Sequence, residues 1–162
     1  MPHGDAAREG QRIGVGSRRR SASLTLYFDT SALIKLVVQE DGSELAAELW
    51  STQHSAASSI LAYPEGRAAL ASARRAGRLT APGYRKALAH WEATHGGLLV
   101  VTIDDRLARH AGELDEELSL RGYDAVHLAS SLALGPDTAV ITWDLDFKRA
   151  AHVCGLAVAP AP

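Results

Sequence analysis

The chain has 162 residues, 46% of them apolar and 6% aromatic, with a formal charge of −2. That length suffices for one domain that buries about two-thirds of its unfolded surface, and the near-neutral balance excludes a uniformly basic nucleic-acid scaffold while leaving local basic patches open. The single cysteine, Cys154, excludes a disulfide framework and a cysteine-rich zinc site; no apolar run approaches the roughly 20 residues of a membrane span, so a cytoplasmic protein is expected.

Residues 1–23 carry Gly, Ser and Arg with no period of 2 or 3.6, which predicts a disordered arm whose Arg18-Arg19-Arg20 run is a solvated tail. An ordered domain is expected over 24–160. "LTLYF" (24–28) is a short, continuous apolar run, the pattern of a strand covered on both faces of a parallel sheet. Helical patterns follow at 31–39 and 43–50, then a short strand candidate at 54–57. Longer helical stretches cover about 58–76 and 81–94; Thr80 caps the second, and Tyr84, Leu88 and Trp91 share one of its faces. "LLVVTI" (98–103) reads as another buried strand, followed by a helix over 105–118 with Asp104 as its cap. A helix over 124–134, a strand at 138–142, a helix over 145–153 and a last strand at 156–159 complete the chain. Strands alternating with helices across short links predict an α/β layered fold with a central parallel sheet.

In such sheets the functional crevice lies beyond the carboxyl ends of the strands, where crossovers diverge. Asp29 directly follows "LYF", and Asp144 follows "VIT" by two residues. Asp124 opens the apolar helix "DAVHLASSLAL", where the helix dipole favours its ionised form. Glu65 stands at the head of the Ala-rich helix in "AYPEGRAALASARR". Each acid alone is an ordinary cap or surface residue. Together they converge on one sheet edge, and carboxylates about 5 Å apart repel by roughly 3 kcal/mol at an effective dielectric near 20. A cation must balance them. Hard oxygen donors suit Mg²⁺ or Mn²⁺ and disfavour Zn²⁺, and an ion so held activates water for attack on phosphorus. Phosphodiester hydrolysis is the reaction this predicts.

"YFDTSALIKL", Glu65 in its helix, "YDAVHLASSLAL" and "ITWDLDF", in that order, resemble the PIN-domain nucleases, specifically VapC-type toxins. The resemblance spans 24–160. It implies a three-layer αβα sandwich with a central, mostly parallel five-stranded sheet, and a Mg²⁺- or Mn²⁺-dependent endoribonuclease acting on RNA. It also implies a homodimer and a cognate antitoxin whose tail occupies the acidic groove. Asp29, Glu65, Asp124 and Asp144 match the acidic quartet, while Thr30, Ser31 and Thr142 match polar neighbours that position the loops. Pro64 and Gly66 depart from the pattern: either a new helix begins at Pro64 or the Glu65 carboxylate is displaced, with Glu40, Asp41 or Glu44 of "EDGSE" as substitutes. That segment otherwise reads as an exposed turn and cap.

Asp146, two residues after Asp144, either adds a supporting ligand or begins the last helix. His127, one turn after Asp124, reads as a half-buried helix histidine without a catalytic role, with a bond to a ligand or substrate as the alternative. Arg67, Arg74 and Arg78 fall on one helical stripe and are candidates to track an RNA backbone, or else simply a solvated face. Two rival functions stand beside the nuclease. One is a non-catalytic module that binds metal, RNA or a partner; the other is a phosphatase of the haloacid dehalogenase type, from the faint D-x-D likeness of "DLDF".

Overall fold

The computed structural model describes residues 24–52 and 55–161, so the predicted arm over 1–23 and His54 of the predicted 54–57 strand lie outside the described residues. Five strands are present among them: β1 (Thr25–Phe28), β2 (Ser55–Ser59), β3 (Leu99–Val101), β4 (Thr138–Ile141) and β5 (Ala157–Ala159). Seven helices alternate with these: α1 (Thr30–Val37), α2 (Ser43–Thr52), α3 (Ala62–Arg75), α4 (Ala81–Gly96), α5 (Asp105–Leu118), α6 (Gly122–Ala133) and α7 (Leu145–Val153).

The continuous apolar character of β1 and β4 follows from burial on both faces. Leu26, Phe28, Ala139 and Ile141 pack into one layer with Leu33 of α1, Leu70 of α3 and Trp91 of α4. Tyr27, Ala57 and Val140 point the other way, into a layer with Leu114, Leu128 and Phe147 of α5, α6 and α7. The result is a three-layer αβα sandwich. Full burial of a side chain such as Phe28, Leu33 or Leu70 contributes about 1.5–3 kcal/mol of transfer free energy, which is why these two layers hold the sheet.

Strand order is β3-β2-β1-β4-β5, and every described pairing is parallel, a stricter arrangement than the mostly parallel sheet expected. The chain winds outward from β1 through β2 to β3, then returns to place β4 on the other flank of β1. Crossovers therefore diverge between β1 and β4, the position at which parallel sheets open a crevice. Phe28 pairs in register with Ile141, so Asp29 and Thr142 leave the sheet side by side.

Two predicted boundaries and one residue of the predicted basic stripe need correction. The helix expected over about 58–76 starts at Ala62, because Ser58 and Ser59 extend β2: the Ser58 hydroxyl donates to the Phe28 carbonyl (2.7 Å), and the Ser59 N–H donates to the Tyr27 hydroxyl (3.1 Å). Its far end closes about where expected, at Arg75, and beyond it Gly77 takes a left-handed φ of 72°, Gly77 N–H bonds the Arg74 carbonyl and Arg78 N–H bonds the Ala73 carbonyl. Arg78 therefore lies off the helix and off the predicted stripe. The apolar run at 98–103 yields only the short edge strand β3, which pairs with β2 alone.

Pro64 causes no break, since it occupies the first turn of α3, where the missing N–H has no helical partner to lose. Gly66 is required by packing. A β-carbon there would overlap the six-membered ring of the buried Trp91 indole.

Candidate active site

Asp29 leaves β1 and caps α1. Its Oδ1 accepts the Ala32 N–H at 2.8 Å and the Ser31 hydroxyl at 2.8 Å; its Oδ2 accepts the Thr142 hydroxyl at 2.5 Å. Capping and membership of the acidic cluster, set against each other in the sequence, thus coincide in one buried side chain. Burial pushes the Asp29 carboxyl above its usual range, against the opposing hydrogen bonds of Thr142, Ala32 and Ser31.

Thr142, fully buried just past β4, joins two acids. Its hydroxyl donates to Asp29 and accepts the Asp144 N–H at 3.0 Å. Asp144 in turn caps α7 by accepting the Phe147 N–H at 2.9 Å. Ser31 adds a second tie, accepting the Trp143 N–H at 3.3 Å. The loops after β1 and β4 are therefore laced together at the switch point.

Asp124 sits in the first turn of α6. Burial raises its carboxyl, the negative charge of Asp144 raises it further, His127 and then Arg121 oppose, and Asp29 adds a smaller upward push. The three aspartates therefore share one electrostatic neighbourhood. Arg121 went unnoticed in the sequence, although its place three residues before Asp124 was the available signal.

Glu65 reaches the same edge from α3. Its Oε2 accepts the Thr30 hydroxyl (2.5 Å) and bonds His127 Nε2 (2.8 Å). Burial would lift this carboxyl, but the bonds from His127 and Thr30 outweigh it and hold it below the usual range. The carboxylate is anchored, so the proposed substitutes are not needed. Glu40 pairs with Lys35 at 2.9 Å, the Asp41 carbonyl also takes a bond from Lys35, and Glu44 is exposed in the first turn of α2.

His127 corrects the half-buried reading: only 3% of it is exposed, and it bonds Tyr27, Glu65 and, at 3.3 Å, Thr30. Asp146 is a first-turn residue of α7, exposed and paired with Arg149 at 3.1 Å, so it begins the helix and stands apart from the cluster's hydrogen bonds. Placement also counts against the phosphatase reading. Asp144 follows β4 where a nucleophile loop should follow the first strand, and its would-be partner acid, Asp146, is engaged elsewhere. Of the predicted basic stripe, Arg67 is bound by Glu92 (2.9 Å) and the Tyr63 hydroxyl (3.1 Å), and Arg74 lies 5.0 Å over the ring of Tyr84. Glu92 and Tyr84 belong to α4, and Tyr63 to α3 itself.

Among the described residues, no three His, Cys, Asp or Glu side chains stand close enough to close a metal shell by themselves. A groove of about 920 Å³ between β3, α5 and α6 contains none of the four acids. The acids instead line the open edge of the sheet.

A PIN-domain model matches residues 26–153 of the chain. The chain belongs to the PIN-domain family, in its VapC ribonuclease branch. Over 137 residues it is 46% identical to Ribonuclease VapC45 of Mycobacterium tuberculosis (strain CDC 1551), an alignment that spans 84% of this chain and 95% of that protein. Among solved structures, PAE2754 from Pyrobaculum aerophilum superposes with a TM-score of 0.64 at 18% identity over 83% of each chain. VapBC-5 from M. tuberculosis, a member of the VapBC family of toxin-antitoxin systems, superposes with a TM-score of 0.58 at 21% identity, over 83% of this chain and 97% of that one. At such identities these two likenesses show the fold alone.

Proposed function

We propose that this chain is a divalent-metal-dependent endoribonuclease that hydrolyses RNA phosphodiester bonds as the toxin of a type II toxin-antitoxin pair. The observation that carries this reading is the delivery of Asp29, Asp124 and Asp144 to one switch point, close enough that the charge of Asp144 lifts Asp124. Its closest functional support is the 46% identity to a ribonuclease.

The donor set fits Mg²⁺ or Mn²⁺. All the donors are carboxylate oxygens, the ligand type that such hard, hydrated cations take, one or two at a time. Asp124 and Asp144 would hold it directly, with Asp29 and Glu65 beside them completing the negative charge around its waters. Such an ion, when bound, supplies polarisation of the scissile phosphate and neutralises charge on the leaving oxygen. The chain's own groups do the rest. Thr142 and Ser31 fix the orientation of the Asp29 carboxylate, and their bonds to Asp144 and Trp143 keep the second loop in step with the first. Glu65, with Oε2 occupied by Thr30 and His127, offers Oε1 to take a proton from the attacking water. Arg121 is a cation whose charge reaches Asp124, and it would meet a substrate phosphate; Arg67 and Arg74 on α3, with Arg78 just beyond the helix, are the further candidates for backbone contacts.

RNA is the substrate and a cognate antitoxin protein the partner, a reading that membership of the VapC ribonuclease branch supports. Assembly as a homodimer and action in the cytoplasm belong to the same reading; among the described residues no helix is long and apolar enough to cross a membrane. The test is cleavage of structured RNAs with added Mg²⁺ or Mn²⁺. Wild-type protein should cut, and the Asp29→Asn and Asp124→Asn variants should not. Equal cleavage by all three removes these aspartates from the site and overturns the proposal; no cleavage by the wild type overturns it in favour of the non-catalytic binding module.

A further inference from the structure

Tyr27 lies in the middle of β1 with its side chain fully buried, and a buried phenol must find partners for its hydroxyl. It has two. The Ser59 backbone N–H stands 3.1 Å away and His127 Nδ1 stands 2.8 Å away. A backbone N–H can only donate, so the Tyr27 oxygen accepts from Ser59 and its own proton is free for Nδ1. His127 Nδ1 is then an acceptor, and the ring proton belongs on Nε2. That atom lies 2.8 Å from Glu65 Oε2, which as a carboxylate oxygen can only accept. The Thr30 hydroxyl, also directed at Oε2, spends its proton there as well. The Glu65 carboxylate fixes the direction of the Nε2 bond outright, while at the other end the Ser59 amide leaves the Tyr27 proton available to Nδ1.

We infer that Tyr27 and His127 are positioning residues for Glu65: the Tyr27 hydroxyl holds His127 as its Nε2–H tautomer, and that N–H holds the carboxylate. The inference rests on the nuclease reading of Glu65. Its geometric consequence is specific. His127 lies one turn after Asp124 on α6, so the helix that carries Asp124 also carries the group from which Glu65 hangs. Glu65 belongs to α3, which meets the sheet from the opposite layer, and the covalent chain alone does not set its separation from Asp124. The Tyr27–His127 pair sets it. Ser59, the last residue of β2, ties the pair to the strand that leads into α3.

The first measurement uses ¹⁵N-labelled full-length protein, without RNA or metal, and reads the His127 ring nitrogens by long-range ¹H–¹⁵N correlation, assigned by their loss in His127→Gln. A pyridine-like Nδ1 and a pyrrole-like Nε2 are expected. An Nδ1–H tautomer or a doubly protonated ring overturns the inference. The second measurement follows Tyr27→Phe, which removes one oxygen and keeps the core ring. It should lose the single-tautomer signature and lower kcat for RNA by about tenfold, the scale on which outer partners of site ligands act, with KM unchanged. His127→Gln, which keeps an N–H donor, should retain more activity than His127→Leu. Wild-type kcat in Tyr27→Phe, or equal kcat in Gln and Leu variants, overturns it. Should wild-type protein cut no RNA, the nuclease reading fails, and the nitrogen shifts still decide the tautomer.

Discussion

Gly66 lies so close to the indole of Trp91 that the hydrogen on its α-carbon occupies the space any β-carbon would need. The contact matters because Gly66 directly follows Glu65, and Trp91, wholly buried, has no room to retreat. Gly66→Ala should therefore destabilise the fold by about 1–3 kcal/mol, as overpacking does, and reduce RNA cleavage by turning the Glu65 carboxylate away from His127 and Thr30. Thermal melting and cleavage rates check both effects. Adding Trp91→Leu should recover part of the cleavage, and no recovery would show that the loss has another origin.

Thr142→Val removes a hydroxyl and almost no volume. It leaves the Asp144 N–H without its partner and deprives Asp29 Oδ2 of the shorter of its two hydroxyl bonds, at a cost of about 1–3 kcal/mol for the stranded groups. Cleavage should fall by about 10- to 100-fold, because the two aspartate-bearing loops lose a tie between them. Thr142→Ser keeps the hydroxyl and should stay within a few-fold of wild type. Equal rates for Val and Ser variants would remove Thr142 from the site.

Much of this was legible in the chain because local signals and tertiary demands agree. Asp29 and Asp144 end apolar runs, and strand-end position alone carries them to the crevice. Thr80 and Asp104 cap the helices that their side chains predict. The failures have a common cause in long-range contacts that leave no local pattern. Ser58 and Ser59 look like the start of a helix, yet are held in β2 by Phe28 and Tyr27, residues some thirty positions away. His127 reads as an ordinary helix residue because its partners, Tyr27 and Glu65, come from two other elements. Gly66 looks like a flaw in a helix until Trp91 is placed against it.

The acidic cluster should cost stability when no metal is bound. Burial raises the carboxyls of Asp29 and Asp124, and the charge of Asp144 adds to the rise at Asp124. A carboxyl raised in the native state favours folding when protonated. Its contribution is complete below the ordinary carboxyl range, near pH 4, and is lost as pH rises through the raised native value. Glu65, held low, acts in the opposite sense and loses its contribution as pH falls. In EDTA at pH 7.5, Asp124→Asn should consequently melt above wild type, with the gap narrowing toward pH 5. Added Mg²⁺ should raise the wild-type melting temperature more than that of the variant, since binding to the native state stabilises it. A variant that melts below wild type at pH 7.5 without metal would contradict the crowding of charge.

Arg121 and the Arg67, Arg74 and Arg78 set make different demands on RNA binding. Arg67 is already engaged by Glu92 and Tyr63 and Arg74 is stacked on Tyr84, so using either for phosphate means giving up an existing contact. Arg121 is exposed at the head of α6, makes no side-chain cap bond there, and its charge reaches Asp124. Arg121→Gln should weaken RNA binding roughly uniformly across sequences and reduce the slope of log affinity against log salt by about one, the signature of a single lost phosphate contact. The triple Gln variant of the other three should change that slope less than Arg121→Gln does, and should shift stability by less than about 1 kcal/mol, since Arg67 and Glu92 are well solvated. Binding titrations between low and moderate salt, using a cleavage-deficient Asp29→Asn background, separate the two. A larger slope change in the triple variant would move the phosphate track from α6 to α3.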